Sequence, residues 1–370
     1  MILGGPARSF WIAFAVAVAI VTCIVLAVVL TVRGVNRSGA NTIRVVAEDE
    51  DAAPLVGATV TATRSSIGGV AKAQVEAAHA SGASLTQASG ATNARGIWQQ
   101  KNLASGDWTV QVNRESFQPK SAVVPVSGDK RADQKVVVEG WSVTEAYAAL
   151  STAVKSLANG DANLNVSFSF VNSNTTLDAE GRSATAFTDA DSSVNEAQFK
   201  TEFRAAMQDV RKLLEAAYTT EAGYGGNLSV TVTEITESGS DGLLDDYTAS
   251  EYGDIRVGVY STGFPANVLA YTYTPQNAPS LIVGDILFNG GIDWRLDSDV
   301  TDGSTGGGYS VRYVAAHEIL HAFGLGHHAL ESSIMFPMAN VAHSLTTRFA
   351  DGLETSKYEL NALRGMLQVQ

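Results

Sequence analysis

Cysteine is almost absent from this chain of 370 residues, which contains a single one, Cys23. One cysteine excludes an intrachain disulfide and a zinc site built from cysteines, and its place in an apolar run excludes a cysteine nucleophile. Basic residues are also few, with 25 Lys and Arg against 38 Asp and Glu and a net charge of −13. This acidic balance argues against broad nucleic-acid binding, which needs a basic face. The sequence also lacks internal repeats, a glycine-rich phosphate loop and a serine-elbow motif.

Charge is missing altogether from one segment, Ser9–Val32, a run of 24 residues. A helix of that length spans the hydrocarbon core of a bilayer, whereas the apolar core of a signal peptide is usually shorter. We therefore expect a transmembrane anchor at 9–32, between a short tail at 1–8 and a linker at 33–41. The alternative is a cleaved signal peptide, with "SGA" at 38–40 as its cleavage site.

The charges that flank the apolar run bear on the side of the membrane. Arg8 precedes the run, and Arg33, Arg37 and Arg44 follow it. These charges favour an inside location for the later residues, but long domains translocate largely regardless of such charges. The chemistry of the C-terminal part, described below, favours the outside. We expect a single-pass protein of the cell membrane with an extracytoplasmic C-terminal domain.

Residues 42–140 are predicted to be all-β. Apolar residues alternate in "ATVTAT" at 58–63 and in "DWTVQV" at 107–112, and turn signals such as "NARG" and "ASGD" separate the runs. The order of "PLVGATVTAT" and "TNARGIWQQKNLASGDWTVQV" resembles the carboxypeptidase regulatory-like domain, a small β-sandwich. That resemblance implies a spacer or binding module and no chemistry.

The remainder of the chain is predicted to be α/β. A connector helix is expected at 141–160, followed by a domain at 161–370 that alternates strands and helices. Its longest helix is expected to run from Asn195 to Gly223, because apolar residues recur there at helical spacing. A last helix is expected at "SKYELNALRGMLQ", residues 356–368.

Four of the six histidines lie in "YVAAHEILHAFGLGHH", residues 313–328. His317 and His321 are four residues apart, so a helix presents both imidazoles on one face, where they can bind one zinc ion. Glu318 lies near the same edge and can hold a proton from a zinc-bound water. Gly324 can take a positive φ and end the helix, so that His327 returns as a third ligand. Three protein ligands leave a fourth position open, which is typical of a catalytic zinc site.

This cluster has two alternative interpretations. A histidine-rich helix end without metal does not explain five fixed positions in the pattern H-E-x-x-H-x-x-G-x-x-H. His328 can in principle replace His327 as a ligand, but the spacing favours His327 and places His328 at the rim of the site. His343, farther along the chain, is expected on the surface.

The segment "SIMFP" that follows places Met335 eight residues after His327. Together with the histidine pattern it resembles the Met-turn of metzincins. The order of "GDIRVGVY", "NVLAYTYTP", "GDILFNGGIDW", "HEILHAFGLGHH" and "SIMFP" is similar to that of matrixins, over about residues 161–370. For Met335 alone, an ordinary core methionine is the alternative.

The resemblance implies an α/β (α+β) metzincin-type fold, with a mixed sheet and an active-site helix, and a zinc-dependent endopeptidase. Glu318 would activate the zinc-bound water, and Met335 would form the floor of the site. A peptide substrate would pair with the edge strand Val268–Tyr273. Leu269, Ala270 and Pro337 are the expected substrate-binding residues.

Three departures from the matrixin pattern change these expectations. Tyr271 and Leu287 stand where many matrixins have histidines of a second, structural zinc site, so we expect one zinc ion. Asn289 and Ile292 replace acids of the calcium site, which leaves calcium near Asp285 and Asp293 an open question. A cysteine latency switch is missing, because Cys23 is the one cysteine.

Two other functions remain open from the residues alone. One is an adhesive or ligand-binding surface protein with a vestigial zinc domain, but a decayed protease is free to lose Glu318, which is present. The other is zinc hydrolysis of a non-peptide amide, against which the extended edge strand favours a peptide.

Overall fold

The computed structural model describes two compact units, one ending at Val138 and the other formed by Glu139–Gln368. The described residues are 41–64, 87–127, 131–143, 162–171, 176–177, 183–185, 187, 193–218, 227–236, 253–260, 264–265, 267–273, 284–300, 307–339 and 343–368. Within these ranges no helix is both long and apolar enough to cross a bilayer. The predicted tail and anchor, and the linker except Asn41, lie outside the described residues.

The described residues of the first unit form strands and no helix, as predicted for 42–140. Its strands are β1 (Thr42–Glu48), β2 (Thr59–Arg64), β3 (Gln87–Ala91), β4 (Ile97–Gln100), β5 (Gly106–Asn113), β6 (Lys120–Val126) and β7 (Arg131–Val137). They form a three-stranded sheet in the order β4-β1-β7 and a four-stranded sheet in the order β3-β2-β5-β6. Both sheets contribute to one hydrophobic core, in which Trp98 and Trp108 are buried. The resemblance to a carboxypeptidase regulatory-like domain stays a prediction.

The second unit is built on a mixed sheet. Its strands are β8 (Trp141–Val143), β9 (Ala162–Phe170), β10 (Thr176–Leu177), β11 (Ser183–Thr185), β12 (Leu228–Glu234), β13 (Ile255–Tyr260), β14 (Ala270–Tyr273), β15 (Gly284–Asn289), β16 (Trp294–Arg295), β17 (Tyr309–Ser310) and β18 (Leu325–His328). The strands β12, β9, β13 and β15 are parallel neighbours in that order, and β14 adds antiparallel to β15 at the edge. This edge strand was predicted, with bounds two residues wider.

Four α-helices are described in this unit: α1 (Glu196–Ala217), α2 (Val311–Ala322), α3 (Leu345–Arg348) and α4 (Lys357–Gln368). Asn195 begins α1 with a capping box, in which its side chain and that of Gln198 each accept a backbone N–H. Phe199 and Phe203 of α1 pack edge-on against Phe288 of β15, which fixes α1 against the sheet. The predicted mixed α/β fold is therefore confirmed in outline.

Two predicted boundaries were wrong. Helix α1 ends at Ala217, six residues before Gly223, because Tyr218 already has a non-helical backbone. Trp141–Val143, placed at the start of the connector helix, form the strand β8 instead. The pairing of β8 with β18, distant in sequence, gives these residues their extended conformation. The rest of that predicted helix lies outside the described residues.

Candidate metal centre

Helix α2 carries the first two histidines, and its start is fixed by a serine. The Ser310 hydroxyl accepts the backbone N–H of Tyr313 and donates to Asp297 Oδ1 at 2.5 Å. The helix ends at Ala322, and Gly324 follows with a φ of 101°. That left-handed conformation suits glycine, and it turns the chain directly into β18, which contains His327. The turn predicted at Gly324 is therefore present.

The structure brings the three predicted ligands together. Nε2 of His317 and Nε2 of His321 are 3.0 Å apart, and the ring of His327 lies 5.5 and 4.9 Å from their two rings. One ligand atom from each of the three histidines lies within 4.8 Å of the others. Helix spacing supplies the first two, and the glycine turn supplies the third.

Backbone carbonyls orient two of the imidazoles. Nδ1 of His317 is 2.7 Å from the Ile334 carbonyl oxygen, and Nδ1 of His321 is 2.6 Å from the Leu325 carbonyl oxygen. Because a carbonyl only accepts, both Nδ1 atoms carry the hydrogen, and both Nε2 atoms present lone pairs to the shared space. Tetrahedral zinc with Zn–N bonds of about 2.05 Å requires nitrogens about 3.3 Å apart, close to this spacing. The residues present therefore fit a zinc ion.

The electrostatics favour neutral imidazoles. Burial lowers the pKa of His317. Burial, together with the charges of His317 and His327, lowers the pKa of His321 well below its ordinary value. Burial and the neighbouring His317 lower the pKa of His327 to about 4. All three are therefore unprotonated near pH 7, the form that binds a metal.

Glu318 is buried beside the ligands, and the edge strand contacts it directly. The Thr272 hydroxyl lies 2.6 Å from Glu318 Oε2 and 2.9 Å from the Glu318 carbonyl oxygen. Burial raises the pKa of Glu318 to about 7, although the hydrogen bonds from Thr272 act to lower it. A carboxyl group with this pKa can both accept and donate a proton at neutral pH.

Comparison with known proteins agrees with this arrangement. The family model for Matrixin matches residues 165–352, just over half of the chain. The chain belongs to the matrixin family. It is 31% identical over 102 residues to metalloendoproteinase 1-MMP of Arabidopsis thaliana, a match that covers 25% of each protein. It is 43% identical over 74 residues to matrix metalloproteinase-B of Caenorhabditis elegans, covering 19% of this chain and 13% of that protein.

The chain therefore spans a quarter or less of the curated relatives that it matches. Among solved structures, it is similar to the full-length major pilin SpaD of Corynebacterium diphtheriae, with 18% identity and a TM-score of 0.20. That match covers 29% of this chain and 31% of SpaD. It is also similar to 3-chlorocatechol 1,2-dioxygenase of Rhodococcus opacus, with 9% identity and a TM-score of 0.20. That match covers 31% of this chain and 66% of the dioxygenase. Likenesses at these TM-scores carry no argument about fold or function.

The predicted Met-turn of this matrixin contacts His317 and His328 through its backbone. Met335 is buried, and its carbonyl oxygen accepts the His328 N–H at 2.8 Å. The preceding carbonyl, that of Ile334, is the one that orients His317. The turn thus supports both the helix ligand and the segment that holds His327. That the Met335 side chain forms the floor of the site stays a prediction.

The predicted substrate-binding residues of this matrixin lie on two segments. Leu269 comes just before β14, and its carbonyl oxygen accepts the Asn289 N–H at 2.9 Å. Ala270 begins β14 opposite Phe288 and is buried. Pro337 follows the Met-turn and is exposed. Their contact with a substrate stays a prediction.

Two expectations about other histidines were wrong. His328 is buried rather than at the rim, its Nδ1 accepts the Leu330 N–H at 3.1 Å, and its ring packs against Tyr358. His343 is buried rather than on the surface, and its Nε2 lies 2.7 Å from Arg348 Nη1.

The structure shows the surroundings of residues at which the chain departs from the matrixin pattern. Tyr271 is 52% exposed on the edge strand, opposite buried Leu287. Asp293 pairs with Arg295, with 2.6 Å between Oδ2 and Nη2, and Asp285 is buried in β15. The expected number of zinc ions and the question of calcium are untested by these contacts.

Sequence reasoning missed Glu359, which accepts hydrogen bonds from Ser333 and Ile334, just before Met335. Glu359 is fully buried in α4, and it accepts the Ile334 N–H at 3.0 Å and the hydroxyls of Ser333 and Ser356. Burial raises its pKa, against the effect of these hydrogen bonds. The signal was available, because Glu359 shares a helix face with residues that are buried: Ala362, Leu363 and Met366. An acid on an apolar face needs buried partners.

Proposed function

We propose that this matrixin is a zinc-dependent endopeptidase in which His317, His321 and His327 hold the metal and Glu318 is the general base. The observation that carries the proposal is the pair of Nε2 atoms, 3.0 Å apart, beside a buried carboxyl group. When bound, zinc supplies Lewis acidity toward a carbonyl oxygen and lowers the pKa of a coordinated water. Glu318 takes the proton of the attacking water and passes it to the leaving amine.

The edge strand supports a peptide as the substrate. Among the described strands, β14 pairs with β15 alone and stands at the end of the sheet, where an extended peptide can add as a further strand. Thr272, in the middle of β14, contacts Glu318. An extended peptide paired with this edge would therefore pass beside the general base. Backbone pairing of this kind favours a peptide over a small non-peptide amide.

Metal removal tests the proposal directly. We expect the purified chain to contain about one zinc and to cleave a denatured protein substrate. A chelator should abolish cleavage, and added zinc should restore it, because the three imidazoles are the ligands that hold the metal. Elemental analysis and product mass spectrometry measure the two quantities. A chain that cleaves equally well without zinc, or that binds zinc and never cleaves, contradicts the proposal.

Thr272 is expected to orient Glu318 during the reaction. A hydroxyl has one hydrogen, so Thr272 donates to the ionised carboxylate. When Glu318 carries the proton, it can donate to Thr272, whose own hydrogen then turns to the Glu318 carbonyl oxygen. Both protonation states of the base thus keep a hydrogen bond to the same hydroxyl.

Replacing Thr272 with valine removes this hydroxyl at nearly constant volume. We expect kcat to fall about 10-fold, with KM within twofold, because a hydrogen bond to a charged group is lost. Thr272→Ser should retain most of the activity. The matched control is Thr346→Val, which removes a threonine hydroxyl that is also 2.6 Å from a carboxylate, that of Asp297, away from the ligands. An unchanged kcat in Thr272→Val would rule out the orienting contact.

Attachment to a membrane through residues 9–32, with the catalytic unit outside, belongs to the same proposal. Its support is the uncharged run of 24 residues. The full chain should remain with membranes after an alkaline carbonate wash, and protease added outside intact cells should digest it. A shortened chain in the soluble fraction would instead support the cleaved signal peptide.

A further inference from the structure

A short segment that precedes the family match runs beside the third ligand. Strand β8 pairs antiparallel with β18, with Val143 opposite Leu325 and Trp141 opposite His328. The Matrixin match begins only at residue 165. We call Glu139–Val143 the strap, because it lies along the strand that contains His327.

The strap holds the backbone on both sides of His327. The Ser142 hydroxyl donates to the His327 carbonyl oxygen at 2.8 Å, and the Ala329 N–H donates to the Gly140 carbonyl oxygen at 2.5 Å. On the other side, Val143 pairs with Leu325, whose carbonyl oxygen orients His321. The strap therefore contacts the backbone that positions two of the three ligands.

Two glycines allow the strap to lie close to its neighbours: Gly140, within the strap, and Gly365, in helix α4. A Cβ atom on Gly140 would lie 3.0 Å from the Ala329 Cβ, and one on Gly365 would lie 2.5 Å from Trp141 Cζ2. Gly365 is inside helix α4, where glycine is disfavoured, so its close approach to the indole explains its presence. Trp141 is buried there, and its Nε1 donates to Glu139 Oε2 at 2.8 Å. The strap is thus fitted against both β18 and α4.

His327 depends on such support more than the other two ligands do. His317 and His321 project from a helix and are oriented by carbonyls, whereas His327 lies on a four-residue strand and is the most exposed of the three. Partners outside the ligand set commonly set metal affinity by fixing where the ligands lie. A strand this short is fixed by what pairs with it.

We propose that the strap is a positioning element of the metal centre, and that Ser142 fixes His327 for zinc through the His327 carbonyl. This inference rests on the proposed function, because it takes zinc as the metal held. It places a necessary part of the site in a segment ahead of the family match. Ser142 does not touch the metal, so it acts on affinity and on the release of zinc.

Zinc affinity of the full chain tests this inference. We expect Ser142→Ala to raise the zinc dissociation constant about 10-fold and to speed zinc release, measured by competition with a chromophoric chelator. Ser142→Thr keeps the hydroxyl and should stay within about twofold of wild type. Gly365→Ala, which displaces the Trp141 ring, should weaken zinc binding while favouring the helix itself.

The matched control is Ser193→Ala, which removes a similar bond, from Ser193 Oγ to the Trp294 carbonyl oxygen at 2.9 Å, on other elements of the same unit. Its zinc affinity should equal that of wild type. If Ser142→Ala and Gly365→Ala bind zinc as tightly as wild type, the proposed role of the strap is overturned. This holds even where the melting temperature of the zinc-free chain falls. A wild-type chain that binds no zinc overturns the proposed function and the strap together.

Discussion

Replacing Glu318 with alanine is expected to reduce peptide hydrolysis about 1,000-fold while about one zinc per chain remains bound. The loss follows from removing the buried carboxyl group that accepts and returns the proton, a contribution of about 100- to 10,000-fold in general acid–base catalysis. Zinc binding should survive, because the imidazoles of His317 and His321 are held by carbonyls of other residues. Product formation and zinc content are measured on the same samples.

The control for this variant is Glu331→Ala, which removes an exposed glutamate from the segment between His327 and the Met-turn. It should leave hydrolysis within twofold of wild type. Full hydrolysis by Glu318→Ala with zinc bound would show that another group is the base. Loss of both zinc and hydrolysis would show instead that Glu318 supports the metal centre.

Changing Asp297 to asparagine is expected to lower the free energy of unfolding of the second unit by about 3 kcal/mol. Asp297 is 3% exposed, and its carboxylate joins the start of helix α2 to the start of helix α3. It accepts hydrogen bonds from the hydroxyls of Ser310, Ser344 and Thr346. It also accepts the backbone N–H groups of Leu345 and Thr346. The NH2 of the asparagine amide would replace one carboxylate oxygen and would face hydrogen-bond donors, to which it cannot bond. Hydrogen exchange of peptides that cover 311–322 measures the change in the zinc-free chain.

The pH dependence of stability in wild type and in Asp297→Asn gives a second test. Burial alone would raise the pKa of Asp297, but the hydrogen bonds from Ser310, Thr346 and Leu345 outweigh it and lower the pKa. A carboxyl group whose folded pKa is depressed stabilises the fold above its unfolded pKa, about 3.9. That stability is lost as pH falls through the folded pKa. The difference between wild type and Asp297→Asn should therefore shrink below about pH 4.

Other acidic groups near Asp297 also affect how stability depends on pH, and a second variant controls for them. Burial, then the charge of Asp297, raises the pKa of Glu202, so Glu202 contributes the opposite slope with pH. Asp299→Asn is the matched control, because it makes the same change at an exposed position two residues away. A stability difference for Asp297→Asn that stays constant from pH 7 to pH 3 would contradict the predicted depression.

The metal centre was predictable because its determinants are local. Four-residue spacing on a helix places His317 and His321 together, and a glycine turn brings back His327, without reference to the rest of the fold. The strand at 268–273 was predictable for a similar reason, since alternation and length mark it in the sequence. Its place at the edge of the sheet was implied by the resemblance to matrixins. The strands described in the first unit followed from the same alternation.

The parts that the sequence did not reveal depend on distant partners. Thr272 belongs to an alternating strand, and nothing in its neighbours indicates that its hydroxyl meets Glu318, 46 residues away. Strand β8 has no helix or turn signal of its own and takes its conformation from β18. His328 is buried because α4, with Tyr358, packs against it. Tertiary contacts decide such positions, and local pattern carries little information about them.

The strap also sets an order of events as the protein folds. The contact between Ser142 and His327 joins residues 185 apart, so the loop that it closes contains most of the second unit. Contacts of such separation form late, because the chain must lose loop entropy before they stabilise it. Synthesis adds a further delay, since the histidines follow the strap by nearly the length of the unit. A chain stopped short of β18 lacks His327, so it cannot bring the three histidines together.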